Sequence, residues 1–257
     1  NVTVSEHARM KAALPIELTS AQALLNRLRA IKQPFELERM RGAQHITDLA
    51  LSEVLGKIKA GATEREIAAE IVYSLLKHGA ENVSFDPIVA SGPNASMPHA
   101  VPGERKIEFG DFVTMDFGCV YQGYCSDMTR TVAVGGATDK MREIYDLVLK
   151  AQQAGIAAAR AGATGAQVDA AARDIIISHG YGENFGHGFG HGLGIKVHEE
   201  PRLSPGQDEP LTAGNVVSAE PGIYLPGQFG VRIEDVLIIW EDGCEDITRS
   251  PKALIIV

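Results

Sequence analysis

The chain contains itself twice. "AGATEREIAAEIVYSLLKHG" (Ala60 to Gly79) aligns without a gap on "AGATGAQVDAAARDIIISHG" (Ala161 to Gly180), an offset of 101 residues. A repeat of this kind constrains the architecture more than any single motif does. Both copies open with a capping box, Thr63 with Glu66 and Thr164 with Gln167. In each, the hydroxyl can accept from the third residue's N–H while the longer side chain reaches back. Both close on His-Gly, a basic residue in the last turn and a glycine suited to the left-handed position after it. His78 and His179 are therefore explained as helix endings.

The similarity extends on both sides. Pro34 suits the first turn of a helix running to about Ala60, and Thr138 can cap its counterpart running to about Ala161. Downstream, "EFGDFVTMDFG" (Glu108 to Gly118) matches "LTAGNVVSAEPG" (Leu211 to Gly222), and "GYCSDMTRTV" (Gly123 to Val132) matches "GVRIEDVLII" (Gly230 to Ile239). Each half reads helix, helix, hairpin. Two such halves can bury their sheets under a helical layer, giving an α+β domain with pseudo-twofold symmetry.

The repeat singles out four carboxylates. Asp116 falls on Glu220, and Asp127 on Glu234. Asp116 and Asp127 lie symmetrically about Tyr121-Gln122, and Glu220 and Glu234 about Gly227, so each hairpin is expected to hold its two acids side by side. The neighbours "FVTMDFG", "VVSAEPG" and "VRIEDVLII" are apolar. A lone strand acid usually points to water, but four at matched repeat positions on central strands would repel strongly unless protonated or neutralised by cations. Two dications balance four carboxylates. Oxygen-rich ligation favours hard or borderline ions such as Mn, Co or Fe(II), and two such ions sharing a hydroxide perform hydrolysis.

"GHGFGHGLGIKVHEE" (Gly186 to Glu200) lies between the second capped helix and the second carboxylate hairpin. A phosphate loop would need a helix after it, whereas "IKVHEEP" is extended in character. His191 is a good fifth ligand. His187 and His198 cannot both share its strand face, so a turn or bulge is expected at the glycines. His99 in "SMPHAVPG" precedes the first hairpin much as His198 in "KVHEEP" precedes the second, and a proline follows each three residues later.

Bulk properties exclude several classes. No run of 18 apolar residues is present, so no membrane span is expected. A net charge of −9 argues against a nucleic-acid partner. Cys119, Cys125 and Cys244 make neither a disulfide framework nor a thiolate zinc site, which together with the lack of a secretory signal pattern leads us to expect a cytoplasmic protein.

The set Asp116, Asp127, His191, Glu220 and Glu234, with "TMDFG…YCSDMTRT", "VSAEPGIY" and "GVRIEDVL", resembles the pita-bread metallopeptidases over about Pro34 to Val257. That family includes methionine aminopeptidase, Xaa-Pro aminopeptidase and prolidase. The resemblance implies a pita-bread fold, with the duplicated halves around a curved antiparallel sheet, and two divalent metal ions per chain, Mn first, with Co, Fe or Zn as alternatives. It assigns Asp116 to the first metal, Asp127 and Glu234 as bridges, and His191 and Glu220 to the second metal, with Glu220 also shuttling a proton. His99 and His198 match histidines that contact the scissile peptide. His187, Arg232 and Tyr224 match residues around the substrate in the proline-specific branch. The expected activity is Xaa-Pro aminopeptidase on peptides with proline second; prolidase is the close alternative, then methionine aminopeptidase, then an inactive peptide-binding protein. Residues 1–33 resemble the tail of a separate N-terminal domain, leaving 34–257 as the catalytic domain, and a homodimer is expected of the full-length protein.

Overall fold

The computed structural model describes residues 2–257. Two helices, α1 (Val4–Ala13) and α2 (Gln22–Ala30), precede the repeat. The first half contains α3 (Pro34–Val54) and α4 (Glu64–Lys77), then β1 (Asn82–Val83), β2 (Ile88–Ser91), β3 (Phe112–Phe117), β4 (Cys119–Tyr121), β5 (Tyr124–Cys125) and β6 (Met128–Ala133). The second contains α5 (Asp139–Ala158) and α6 (Gly165–Ser178), then β7 (Gly190–Gly192), β8 (Glu199–Leu203), β9 (Val216–Ala219), β10 (Gly222–Leu225), β11 (Phe229–Arg232), β12 (Asp235–Trp240) and β13 (Gly243–Asp246). A last strand, β14 (Ile255–Ile256), returns to pair parallel with β6.

Both capping boxes form as expected, Thr63 with Glu66 and Thr164 with Gln167. Gly79 and Gly180 take positive φ after His78 and His179. The Thr138 hydroxyl accepts from Met141 and starts α5. The long helices stop a little before the expected ends, at Val54 and Ala158. The first continues into a 3-10 turn over Leu55–Lys57, an ordinary way of tightening a helix end.

Each half has its own core under its own helix pair. Ile46, Leu51, Ile67 and Ile71 of α3 and α4 pack on Val113, Met115 and Phe117 of β3. Ile144, Val148, Val168 and Ile176 of α5 and α6 pack on Val217, Leu237 and Ile239. Strand alternation then sends the other set of side chains to the opposite face: Thr114 and Asp116 on β3, and Ser218 followed by Glu220 after β9. Burying each aliphatic side chain contributes about 1.5–3 kcal/mol, so the apolar face fixes the register and the acids follow.

The main sheets run β14-β6-β3-β2 and β13-β12-β9-β7-β8. They are joined where β6 meets the β11–β12 corner: Glu234 N–H donates to the Thr129 carbonyl at 3.1 Å, and Arg232 N–H to the Thr131 hydroxyl at 3.2 Å. Behind this seam Arg130 is fully buried, paired with Asp235 at 2.7 Å and donating to the carbonyls of Glu234, Ser250 and Pro251.

One register differs from expectation. β10 and β11 pair about Gly227, Gly222 opposite Arg232, and β9 pairs with β12 with Ala219 opposite Asp235, so Glu220 and Glu234 occupy facing positions as expected. In the first hairpin, however, Asp116 faces Thr129 rather than Asp127. The turn is made by Gln122 (φ 48°) and Gly123 (φ 78°), both left-handed as a two-residue hairpin turn requires. That shifts the hairpin centre one residue beyond Tyr121-Gln122 and the facing residue by two.

The segment before Pro34 is fastened at its end. α1 and α2 bury no side chain, but Asn215 donates to the Ala30 carbonyl at 2.9 Å, and Lys32 is buried beside Glu199. Among the described residues no helix is long and apolar enough to cross a membrane.

Candidate metal centre

The seam between the halves floors a cavity of about 460 Å³. Asp116, Asp127, His191, Glu220 and Glu234 line it, together with His99, His187, His198 and Arg232. One ligand atom each from Asp127, His191 and Glu234 lies within 4.8 Å of the others. His191 Nε2 is 3.2 Å from Glu220 and 3.7 Å from Asp127. Its Nδ1 donates to the Gly192 carbonyl at 3.1 Å, so Nε2 is the nitrogen turned to the acids. Burial pulls the imidazole's pKa down, but Glu220 outweighs it and raises it, so in the metal-free site a proton sits where a cation would bind.

The glycines of the histidine-rich stretch from Gly186 to Glu200 explain how His191 gets there. A Cβ on Gly190 would sit 2.0 Å from the Ser218 carbonyl, so only glycine lets β7 lie against β9 at this point. The pairing of β7 with β8 slips between His191 and Gly192, the irregularity expected from the histidine spacing. His187 and His198 thereby reach the same cavity from either side of the strand, and the His191 and His198 rings pack edge to face at 4.3 Å.

The electrostatics show what the donor set lacks. Asp116 Oδ1 and Asp127 Oδ1 are buried with no hydrogen-bond partner. Burial, then the neighbouring charges of Glu234 and Asp116, raises Asp127 well above the ordinary carboxylate range. Burial and the charges of Glu220 and Asp116 do the same to Glu234, against the Thr129 hydrogen bond. Burial raises Asp116 as well, opposed by Arg232 at 2.7 Å. At Glu220 burial also pushes upward, but His191 outweighs it and holds the carboxyl at about 2. Each ion moved out of water costs several kcal/mol, which a single buried guanidinium cannot offset for four carboxylates. Orphaned carboxylate oxygens converging with an imidazole Nε2 make a ligand set that a hard divalent cation would satisfy.

A second chain of contacts runs along one wall. His187 Nδ1 faces the Gly188 carbonyl at 2.9 Å, and its Nε2 lies 2.9 Å from the Tyr224 hydroxyl. That hydroxyl accepts from Arg232 at 2.8 Å, so its own proton goes to His187. The imidazole is thus the neutral Nδ1-H form, in keeping with burial lowering its pKa. Burial likewise lowers His198, and the His191 charge adds to it. Burial pushes the Tyr224 phenol up to about 12.

Three residues around the cavity escaped the sequence reading. The Thr129 hydroxyl donates to Glu234 at 2.7 Å, and the Ser218 hydroxyl to Glu220 at 2.9 Å. Ser218 carried a signal: like Thr114 before Asp116, it is a hydroxyl residue two positions before a repeat-matched acid and on its face. Arg202, exposed at the rim, carried none.

The family model for metallopeptidase family M24 matches residues 38–241. The chain belongs to metallopeptidase family M24. It is therefore a peptidase, of a family that binds divalent metals. An Xaa-Pro dipeptidase of Pyrococcus furiosus is 41% identical over 239 residues, 93% of this chain and 69% of that one. Among solved structures, an Xaa-Pro dipeptidase from Bacillus anthracis superposes with a TM-score of 0.97 at 47% identity, over 100% of this chain and 72% of that one. An X-Pro aminopeptidase from Thermotoga maritima superposes at 0.95 with 40% identity, over 100% and 73%. The fold of this M24 chain is the pita-bread fold that the repeat and motifs led us to expect.

Proposed function

We propose that this M24 chain is the catalytic part of an Xaa-Pro dipeptidase, hydrolysing the bond between an N-terminal residue and a C-terminal proline. The sequence alone put the longer-substrate Xaa-Pro aminopeptidase first. The order is reversed because dipeptidases predominate among its relatives and because of Arg202. This guanidinium lines the cavity next to His198 and forms no ion pair among the described residues. A dipeptide's proline carboxylate needs such a cation, whereas an extended substrate carries an amide there.

Asp116, Asp127, His191, Glu220 and Glu234 would hold two divalent cations, Mn(II) being favoured by the oxygen-rich set. The bound pair would supply a water of lowered pKa and polarise the scissile carbonyl. Glu220 takes the proton of the attacking water at its carboxylate and passes it to the leaving proline nitrogen. His99 and His198 donate N–H to the carbonyl oxygen as negative charge builds on it. His187, Tyr224 and Arg232 form the wall against which the proline ring packs.

The test is a substrate comparison on the metal-loaded protein: Gly-Pro, Gly-Pro-amide and Gly-Pro-Gly. Gly-Pro should be the best substrate. Arg202→Met should raise KM for Gly-Pro about 10- to 100-fold, the loss of one charge-assisted contact, and leave Gly-Pro-amide unchanged. Equal or better turnover of Gly-Pro-Gly would return the aminopeptidase reading to first place.

A further inference from the structure

The loop that carries His99 is held at both ends by one carboxylate that does not line the cavity. Glu64, the first residue of α4, is completely buried. Its Oε1 accepts from the Ser91 backbone N–H and the Ser91 hydroxyl, both at 2.8 Å. The Asn94 side-chain amide donates to both oxygens, at 3.0 and 3.2 Å. Oε2 accepts from the Gly103 N–H at 3.1 Å. Ser91 and Asn94 stand where the chain enters the loop, and Gly103 where it leaves. Arg105 completes the grip, donating to the Ser91 hydroxyl and to Asp111, each at 2.6 Å.

The helix start itself does not require this residue. Capping is done by Thr63 and Glu66. In the second copy the equivalent position is Gly165, and α6 forms just as well. There a Cβ would meet the Arg202 carbonyl at 2.1 Å, so β8 comes straight onto the helix. In the first copy a carboxylate reaches out instead to the His99 loop. His99 is exposed, and its ring makes no hydrogen bond to another described residue, so the imidazole depends on the backbone beneath it.

We propose that Glu64 is the positioning residue for His99, fixing the 91–103 loop so that the imidazole stands over the scissile carbonyl. This rests on the reading of His99 given above. A carboxylate suits the task because every group facing it is a donor. In Glu64→Gln the new amide must point an N–H at a donor, and one end of the loop is released. A shift of about 1 Å in a catalytic group costs on the order of 100-fold, so the side chain acts through distance rather than contact.

The test compares Glu64→Gln, His99→Ala and the double variant in the metal-loaded protein. Glu64→Gln should lower kcat for Gly-Pro about 10- to 100-fold, with KM and metal content nearly unchanged and with faster amide exchange over residues 92–103. The double variant should be no slower than His99→Ala, because both act through one group. Asn94→Ala, at a partly exposed site, should give a smaller loss in the same direction and serves if Glu64→Gln does not fold. An unchanged kcat in folded Glu64→Gln, or multiplied losses in the double variant, overturns the proposal. Should His99→Ala keep full activity while Glu64→Gln still loosens the loop, the reading of His99 fails, and the catalytic meaning of the clamp falls with it.

Discussion

The Thr129 hydroxyl donates to Glu234 at 2.7 Å and accepts from Arg232 Nε at 3.0 Å, so one side chain on β6 orients both a candidate metal ligand and the guanidinium beside it. Thr129 belongs to the first half of the repeat, and Glu234 and Arg232 to the second. The hydroxyl is thus part of what aligns the halves across the seam.

Thr129→Val keeps the shape and removes both contacts. Partners that orient ligands typically contribute about 10- to 100-fold to metal affinity or activity. We expect Mn(II) affinity of the metal-free protein to fall within that range, with the fold retained. Titration calorimetry of the two proteins side by side checks this, and an equal dissociation constant would mean that Glu234 is held by its backbone alone.

Asp127→Asn should abolish peptidase activity. Asp127 is buried between Glu234 and His191, and its Oδ1 has no partner in the protein. An amide has the same size but lacks the charge needed to sit between two dications. Metal analysis should show at least one cation lost per chain, and retention of both with a near-normal rate would remove Asp127 from the bridging role.

The metal-free protein should become more stable on mild acidification. The folded values of Asp127 and Glu234 lie above the ordinary 3.8 and 4.5. A carboxyl of this kind binds its proton more tightly folded than unfolded. The native state is therefore weakened above the raised values, and stability returns as pH falls through them toward about 4.5. Glu220, held at about 2, works the other way: its contribution is present above 4.5 and is lost only as pH drops toward 2. Melting temperature in chelator should accordingly rise between neutrality and about pH 5. With saturating Mn(II) the trend should reverse, because protons compete with the cation and a ligand of the folded state stabilises it by mass action. Parallel curves in chelator and in Mn(II) would show that the acids do not share one site.

How much of this was legible in the sequence depended on whether a feature was local. Thr63 with Glu66 and Thr164 with Gln167 announced their helices because a capping box is written in four consecutive residues. The carboxylate set was legible because duplication placed Asp116 on Glu220 and Asp127 on Glu234. The facing of Asp116 and Asp127 was misread because a two-residue slip depends on the φ of Gln122, which nothing in a glutamine advertises. Thr129 and Glu64 act across separations of 105 and 27 residues, on Glu234 and Ser91, through folded geometry alone, and the place of Arg202 at the rim likewise shows only in the fold. On the function proposed above, the choice between dipeptidase and aminopeptidase was hidden for the same reason, because it would turn on where one rim cation lies relative to the floor of the cavity.

Specificity gives the last prediction. Proline after the scissile bond makes that bond a tertiary amide with no N–H, and its ring is compact with φ fixed. Such a residue is chosen by shape, and selectivity is a difference in transition-state affinity. His187 stands in the cavity wall with both nitrogens committed, Nδ1 to the Gly188 carbonyl and Nε2 to Tyr224, so it presents a rigid ring rather than a free hydrogen-bonding group. Asp169 and Arg173 of α6 hold that wall, Arg173 donating to the carbonyls of Phe185 and His187 and Asp169 accepting from Phe189. His187→Ala should therefore lower kcat/KM for Xaa-Pro substrates about 10- to 100-fold, as expected for losing one or two packing or hydrogen-bond contacts. Metal content should remain intact, since His191 rather than His187 faces Asp127 and Glu234. Tyr224→Phe, which removes the hydroxyl but keeps the ring, should produce a smaller loss of the same kind. If His187→Ala instead released a cation while His191→Ala kept both, the ligand histidine would have to be reassigned and the substrate wall rebuilt around the other side of β7.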